Sequence, residues 1–545
     1  MEKSSTINYN ENVTPSAPTL SGSNLNSPED TGADPRFIDI GFHNDFDQKT
    51  NFQPPLQQST RFFPSFMPHL PDSDDSYCGR LFKHRRQTRS IAGGLLLMLG
   101  SGLHIGWGIW RSSYYGSWVL TANESIVIFM IMAWSLGAFL GGFAGSIVTP
   151  MLRKKSIYLL SAAIFIVGNV LIIIWDDEGG AIGAGRLLTG AAHGIGYVTL
   201  ITHAGENAAK NMRGTILSII NCMLYTGIFV SVIITGTVQY NSVGVPDAIS
   251  DDRIVAIVSI PIAILSIAAS MMTIESVPFL LYKNCHDNAK FNLQNLRGSS
   301  HETLELTREM EELHLMIIQD KRDSWNIFTD GNVKPLVLTI LMRIMVAMTN
   351  NYLINIITIF YTFQMFNLNQ YRLVPLVVVA PRLAMSIVQI FYADVLKRKI
   401  QIIVSSVFAG IVLIIIGIIL NAAQSWSATV SISVLWLIFQ LACSMGMDQM
   451  QDVYLSEAFS TAKKQWSLPF VASIEHIFHI FMIGMFFAGI DSSAHLYAII
   501  FITGIVVIIL GVVLVVALPE TQNMSLKQAK DSFINYMINI SSPFA

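Results

Sequence analysis

Charge is scarce in this 545-residue chain: Asp, Glu, Lys and Arg make up 13% of it, against about 25% in an average soluble chain. Apolar residues reach 52% and the mean hydropathy is +0.49. That balance excludes a soluble enzyme, a nucleic-acid binder or a disordered scaffold as the main identity. The net charge is only −3, so there is no basic footprint for nucleic acid. Cysteine is also sparse. Cys78, Cys222, Cys285 and Cys443 show neither zinc-ligand nor redox spacing, and two of them fall inside apolar runs, which argues against a disulfide framework. With no nucleophile constellation and no nucleotide loop, the chain is not read as an enzyme, and no metal or organic cofactor is implied.

Residues 1–88 lack apolar runs altogether. They are rich in Ser, Asn and Asp and hold nine of the 19 prolines, from Pro15 to Pro71. Such a segment cannot bury enough apolar surface to offset its ordering entropy, so a disordered tail is expected. Without an apolar core stretch it is not a signal peptide.

Beyond Lys83, Arg85, Arg86 and Arg89 the apolar runs begin. About 20 apolar residues are needed to cross ~30 Å of hydrocarbon as a helix, and a backbone in lipid must satisfy itself internally. About twelve segments meet that requirement, near 91–110, 123–147, 156–175, 181–203, 214–237, 254–274, 335–363, 373–394, 400–421, 427–453, 466–490 and 495–517. The expectation is an all-α polytopic membrane protein of about twelve transmembrane helices in two six-helix bundles.

The loops set the orientation. Basic residues follow the second helix (Arg153, Lys154, Lys155), the fourth (Lys210, Arg213), the eighth (Lys397, Arg398, Lys399) and the tenth (Lys463, Lys464), while the alternate loops carry Asp176, Asp177, Glu178, Asp247, Asp251, Asp252 and Asp491. The basic side is read as cytoplasmic, which places both termini there. The domain plan is then a tail at 1–88, a first bundle at 89–275, a cytoplasmic loop with short helices at 276–334, a second bundle at 335–518 and a tail at 519–545. Within the loop, His301–His314 is charged and reads as a short helix at the membrane surface, serving either as a docking site or as a solvated spacer. Asn123-Glu-Ser125 is the glycosylation sequon expected outside, and Asn12-Val-Thr14 is expected inside.

The halves repeat. Gly145-Ser-Ile-Val-Thr-Pro-Met-Leu-Arg153-Lys154-Lys155 stands after the second helix and Tyr392-Ala-Asp394-Val-Leu-Lys-Arg398-Lys399 after the eighth. Glu206 precedes Arg213 by seven residues, and Glu457 precedes Lys464 by seven. Two parallel repeats with a site between them form an alternating-access architecture.

Six motifs in order then resemble one family. Gly185-Arg186-Leu-Leu-Thr-Gly190, Glu206 with Arg213-Gly214, Glu275-Ser276 with Phe279-Leu280, Leu296-Arg297-Gly298, Ser456-Glu457-Ala-Phe459 and Pro519-Glu520-Thr521 with Leu526 resemble the signatures of the sugar porters of the major facilitator superfamily, which include glucose facilitators and insect trehalose transporters. The likeness runs from about 91 to 530. It implies a major facilitator fold, alternating access, and a sugar or sugar-like small solute carried across a lipid bilayer, with the plasma membrane as the default location. By the same resemblance Arg153, Arg186, Glu206, Arg213, Asp394, Arg398, Glu457 and Lys464 are gating residues. The chain departs where the family's first-half aspartate falls on Thr149, its next basic residue on Pro150 and its glycine on Leu152.

It departs most at the substrate positions. The resemblance puts Asn221 at the fifth-helix glutamine, Asn350 and Asn351 at the seventh-helix Gln-Gln pair, and Asn355 within the following Gly-Ile-Asn. Arg382 replaces an eighth-helix asparagine, Asp448 and Asp452 replace tenth-helix Gly and Trp, and Glu475, His476 and His479 replace eleventh-helix Asn, Trp and Asn. At ~1.5 Å per residue, Arg382 lies ~18 Å above Asp394, Asp448 ~13 Å above Glu457, and Glu475 and His479 ~16 and ~22 Å above Lys464. All converge on midmembrane depth, where a charge costs at least ~2.5–3.5 kcal/mol. Asp448 with Asp452, and Glu475 with His479, share helix faces. Three readings follow: a sugar-type facilitator with a drifted pocket, a carrier of an ionisable solute or one coupled to protons, and a transporter-like sensor. A self-satisfied Arg382–Asp448 or Arg382–Glu475 bridge is the purely structural alternative. In the first helix His104, Trp107 and Trp110 either face the pocket or pack. Gly137, Gly141 and Gly145 are expected to serve close packing within the monomer.

Overall fold

The computed structural model describes residues 79, 84–113, 124–242, 250–299, 301–322, 326, 328–329, 331–365, 374–422, 426–487 and 493–535. Most of the 1–88 tail, including the Asn12 sequon and Cys78, lies outside them, as do Asn123 and the side chain of Trp110. Every regular element among the described residues is helical: α1 (Arg85–Ser90), α2 (Ala92–Ser113), α3 (Glu124–Val148), α4 (Lys154–Ile174), α5 (Gly179–Asn207), α6 (Arg213–Ser242), α7 (Asp251–Ser270), α8 (Val277–Tyr282), α9 (His286–Arg297), α10 (Leu304–Arg322), α11 (Val333–Thr349), α12 (Tyr352–Met365), α13 (Val374–Tyr392), α14 (Arg398–Ala422), α15 (Trp426–Ser444), α16 (Met447–Glu457), α17 (Thr461–Phe487), α18 (Ser493–Ala517) and α19 (Leu526–Asn535).

Among the described residues ten stretches are long and apolar enough to cross a membrane. Their outward faces carry Leu140, Ile264, Leu265, Ile418, Phe481 and Ile509 half-exposed, a belt that only lipid would cover without cost. The protein is an integral, multi-pass membrane protein. Among the described residues Cys222, Cys285 and Cys443 are free thiols.

Two runs expected as single helices are broken. The run 335–363 divides into α11 and α12, because Asn351 turns back on the chain: its amide donates to Met348 O (2.8 Å) and its Oδ1 accepts from Ile354 N–H (2.9 Å). The run 427–453 divides at Gly446, where a Cβ would stand 2.7 Å from Gln401 O. Only glycine lets the two backbones approach this closely.

Within each half, small residues set helix distance. A Cβ on Gly137 would meet Leu187 O at 2.0 Å, and one on Gly194 would meet Ala138 O at 2.2 Å, so α3 and α5 touch backbone to backbone. The glycine series therefore packs inside the monomer. The halves also repeat in space. Lys154 N–H donates to Glu275 Oε2 (2.9 Å) and Lys399 N–H to Glu520 Oε2 (3.2 Å), both across 121 residues. α8, α9 and α10 share a small core of Val277, Leu281, Leu293, Leu313 and Ile317, beside the end of the bundle that carries the basic loops. α10 extends to Arg322, eight residues beyond the expected charged stretch.

Candidate functional site

A cavity of about 160 Å³ lies between the halves. α2, α3, α5 and α6 line it from one side, and α11, α12, α13, α16 and α17 from the other. Asn221, Asn350, Asn355, Arg382, Glu475, His476 and His479 all line it. Asn351 does not, being spent on the helix junction. Asp448 and Asp452 sit just behind the wall, each nearly unexposed.

The acids behind the wall are held by donors from the opposite half. Tyr197 Oη donates to Asp452 Oδ1 (2.5 Å), and the Asn221 amide donates to Asp452 Oδ2 (2.9 Å) and to Asp448 O (3.1 Å). Tyr225 Oη donates to Asp448 Oδ2 (2.9 Å), which also accepts from Ser444 Oγ (3.0 Å). Thus α5 and α6 of the first half grip α16 of the second.

The central cation is one the motifs did not reveal. Arg343, on α11 and 2% exposed, donates from Nη1 to Glu475 Oε2 (2.7 Å) and from Nη2 to Tyr197 Oη (2.9 Å) and Asp452 Oδ1 (3.1 Å). It is the partner that the sequence reading assigned to Arg382. Arg382 instead rests over the Tyr225 ring, donates to Thr349 O (3.3 Å) and stands 3.9 Å from Asp448 Oδ2. Of the two structural bridges expected, the Asp448 one forms loosely, while Glu475 belongs to Arg343. The other Glu475 oxygen faces His479 at 3.6 Å. Two histidines from opposite halves, His193 and His476, lie with ring centroids 6.1 Å apart, and both contact Trp134.

In the first helix the packing alternative applies to His104 and Trp107. His104 is buried and bonded to Asn169 (3.1 Å). Trp107 is buried beneath Arg186, whose guanidinium carbon lies 4.1 Å from the ring centroid.

A second cluster closes the basic end. Glu457 accepts from Arg213 Nη1 (2.7 Å) and Arg398 Nη1 (2.5 Å), all three side chains being buried. Arg398 also donates to Thr521 Oγ1 (2.7 Å). Asp394 caps α6 across the halves, accepting from Gly214 N–H (2.9 Å) and Thr215 N–H (2.7 Å). Burial raises its carboxyl above the ordinary carboxylate range, against the pull of Arg398 and of those amides. Glu206 accepts instead from Ser276 Oγ within its own half. Lys464 is buried beside this cluster. Arg153 is exposed and stands outside it. Arg186 is also absent from it: about 20 residues before Glu206 on the same helix, it lies ~30 Å away at the cavity wall.

Where the first half lacks the aspartate, the Thr149 hydroxyl bonds that of Thr199 (3.2 Å). The N-terminus of α17 is served from the loop helices: Asp320 of α10 accepts from Thr461 N–H (2.8 Å) and from Lys530 Nζ of α19 (2.9 Å).

Comparison with known proteins agrees with this architecture. The profile of the family described as sugar (and other) transporter matches residues 87–533. No curated protein matches the sequence significantly. Among solved structures, the proton:xylose symporter XylE bound to 6-bromo-6-deoxy-D-glucose superimposes with a TM-score of 0.70 at 15% identity, covering 84% of this chain and 100% of that one. The xylose transporter XylE from E. coli gives 0.62 at 14% identity in a partially occluded inward-open conformation, with 82% and 99% covered. In the inward-open conformation it gives 0.57 at 16% identity, with 82% and 98% covered. The fold is that of the major facilitator superfamily. With the profile spanning both bundles and the loop helices between them, the chain belongs to the sugar (and other) transporter family.

Proposed function

We propose that the protein carries a sugar-like small solute by alternating access, with the cavity as its binding site. The observation that supports this reading most directly is a cavity walled by both halves above a closed basic end. Adding α5 and α13 to the ten long apolar stretches makes twelve spans, and the positive-inside rule makes the basic end cytoplasmic, with both termini there. Glu457, Arg213, Arg398 and Asp394 are then the inner gate. Their ion pairs and caps must break for the solute to leave inward, and Glu206, Lys464 and Arg153 are second-rank gate residues. We take the plasma membrane as the location.

A proton-coupled cycle is the second reading. Its support is that Asp452 and Asp448 take their hydroxyl and amide donors from the opposite half. When the halves separate, those first-half donors are withdrawn from both carboxylates.

Uptake of labelled glucose, xylose and trehalose by the purified protein in liposomes, with and without an inward proton gradient, tests both. Sugar uptake without a gradient is expected for a facilitator, and uptake only with one for a symporter. If folded protein moves none of the three, the neutral-sugar reading fails.

A further inference from the structure

Three rings of the cavity wall make no hydrogen bond among the described residues: Trp134 of α3, His193 of α5 and His476 of α17. All are more than nine-tenths buried. The Trp134 Nε1–H and the Nδ1 atom of each imidazole are sealed in the wall without a partner. The rings touch one another. Trp134 lies 4.9 Å from His193 and 6.2 Å from His476, centroid to centroid. The two imidazoles stand 6.1 Å apart and nearly perpendicular, at 82°. His193 belongs to the first half and His476 to the second. Packing explains the rings but not their nitrogens. Phenyl groups would fill this space without the cost of burying polar atoms unpaired. The neighbouring acids do not take the nitrogens up. Glu475 is engaged by Arg343 and faced by His479, and Asp452 by Tyr197, Asn221 and Arg343.

The unbonded groups are mixed in kind. A neutral imidazole presents one donor and one acceptor, and an indole one donor. Gln451, in the same wall, adds an amide that is also unbonded. An anion would set acceptors against the acceptors of this set, and an ammonium would set donors against its donors. A hydroxyl both donates and accepts, so two hydroxyls match two imidazoles that each do the same. In each imidazole Nδ1 is sealed while Nε2, also unbonded, keeps contact with open space. The Nε2 atoms are then the ones that meet the solute, and Trp134 holds the two rings in place. Because the rings come from opposite halves, both can hold one molecule only while the halves are together.

We propose that His193 and His476 are specificity-determining residues that together read two neighbouring hydroxyl groups of the solute, one from each half of the protein. This deepens the transport reading and rests on the cavity being the solute site. The test is counterflow of labelled glucose in liposomes holding the full chain, competed by unlabelled glucose and by its singly deoxygenated analogues. Thermal unfolding of the detergent-solubilised protein in each compound is the second readout. For wild type, the analogues lacking either of two neighbouring hydroxyls are expected to compete about tenfold or more weakly than glucose, because each leaves a buried nitrogen unpaired. His193→Phe and His476→Phe keep a ring and remove its nitrogens. Each should erase the penalty at one of those two positions and leave the other penalties standing. A role in packing alone would weaken glucose and every analogue alike. Unchanged penalties in folded His193→Phe and His476→Phe would therefore overturn the inference and leave the transport reading intact. Should neither variant fold, the wild-type series still decides, since the absence of two neighbouring penalised positions also overturns it. If wild type neither moves glucose nor is stabilised by it, the inference falls together with the glucose arm of the transport reading.

Discussion

At the scale of the residue, Arg343 decides the state of the buried acids. Removing it leaves Glu475 and Asp452 without their cation, and breaking such a pair costs about 3–5 kcal/mol. Arg343→Gln is therefore expected to lower the thermal unfolding midpoint in detergent and to abolish uptake. Arg343→Lys should restore only part of the loss, since an ammonium cannot present the same fork of donors to Glu475, Tyr197 and Asp452. The triple change Arg343→Met, Asp452→Leu, Glu475→Leu should recover stability but not uptake. Recovery of both would remove the cluster from the mechanism. The converging acids were legible because their motif-counted depths all fell near the bilayer centre. Arg343 was not, because no motif points to it, although the same depth arithmetic places it ~15 Å above Val333. Asn351 misled for the opposite reason: an amide at a substrate position and an amide capping a helix break have the same letter.

At the scale of the element, one aspartate joins two helices from different halves. Asp394→Asn leaves one of the two α6 amides without its acceptor, a loss of about 1–3 kcal/mol, and the expected result is faster labelling, from the basic end, of a cysteine placed in the cavity wall. A pH effect belongs here too. Burial raises the carboxyl of Asp320 above the ordinary range despite Lys530, and that of Glu275 despite Lys154. Such a group binds its proton more tightly folded than unfolded. Its contribution to stability is present below the ordinary carboxylate range and is lost as pH rises through the raised value. Unfolding midpoints measured from about pH 4 to about pH 8 should decline with pH through this contribution, and Asp320→Asn should flatten the decline. The repeat of basic turns announced these element ends. That Asp320 serves α17 was hidden, because 141 residues separate it from Thr461 and no local pattern spans that gap.

At the scale of the whole molecule, the two-bundle plan was legible because hydropathy measures what lipid requires, and lipid requires it of nearly every span. Helix breaks make no such mark. The run through Asn350 and Asn351 stays apolar enough to cross a membrane although its axis is interrupted, and only the packed structure exposes the gap. Both breaks lie on second-half spans, beside the walls that hold Arg382, Asp448 and Asp452. Replacing Gly446 with Ala would set a methyl against Gln401 O, and a marked loss of folded protein on size-exclusion chromatography is expected.

Besides helix packing, the halves meet through polar contacts that include Glu457 with Arg213, Asp394 with two amides, two tyrosine hydroxyls with two aspartates, Asn221 with Asp452 and Arg343 with Tyr197. They lie at two levels and must be released in one rocking motion. The barrier between outward and inward states is then dominated by activation enthalpy. Turnover should climb steeply on warming, and loosening any one contact should lower that slope before it changes how tightly the solute is held.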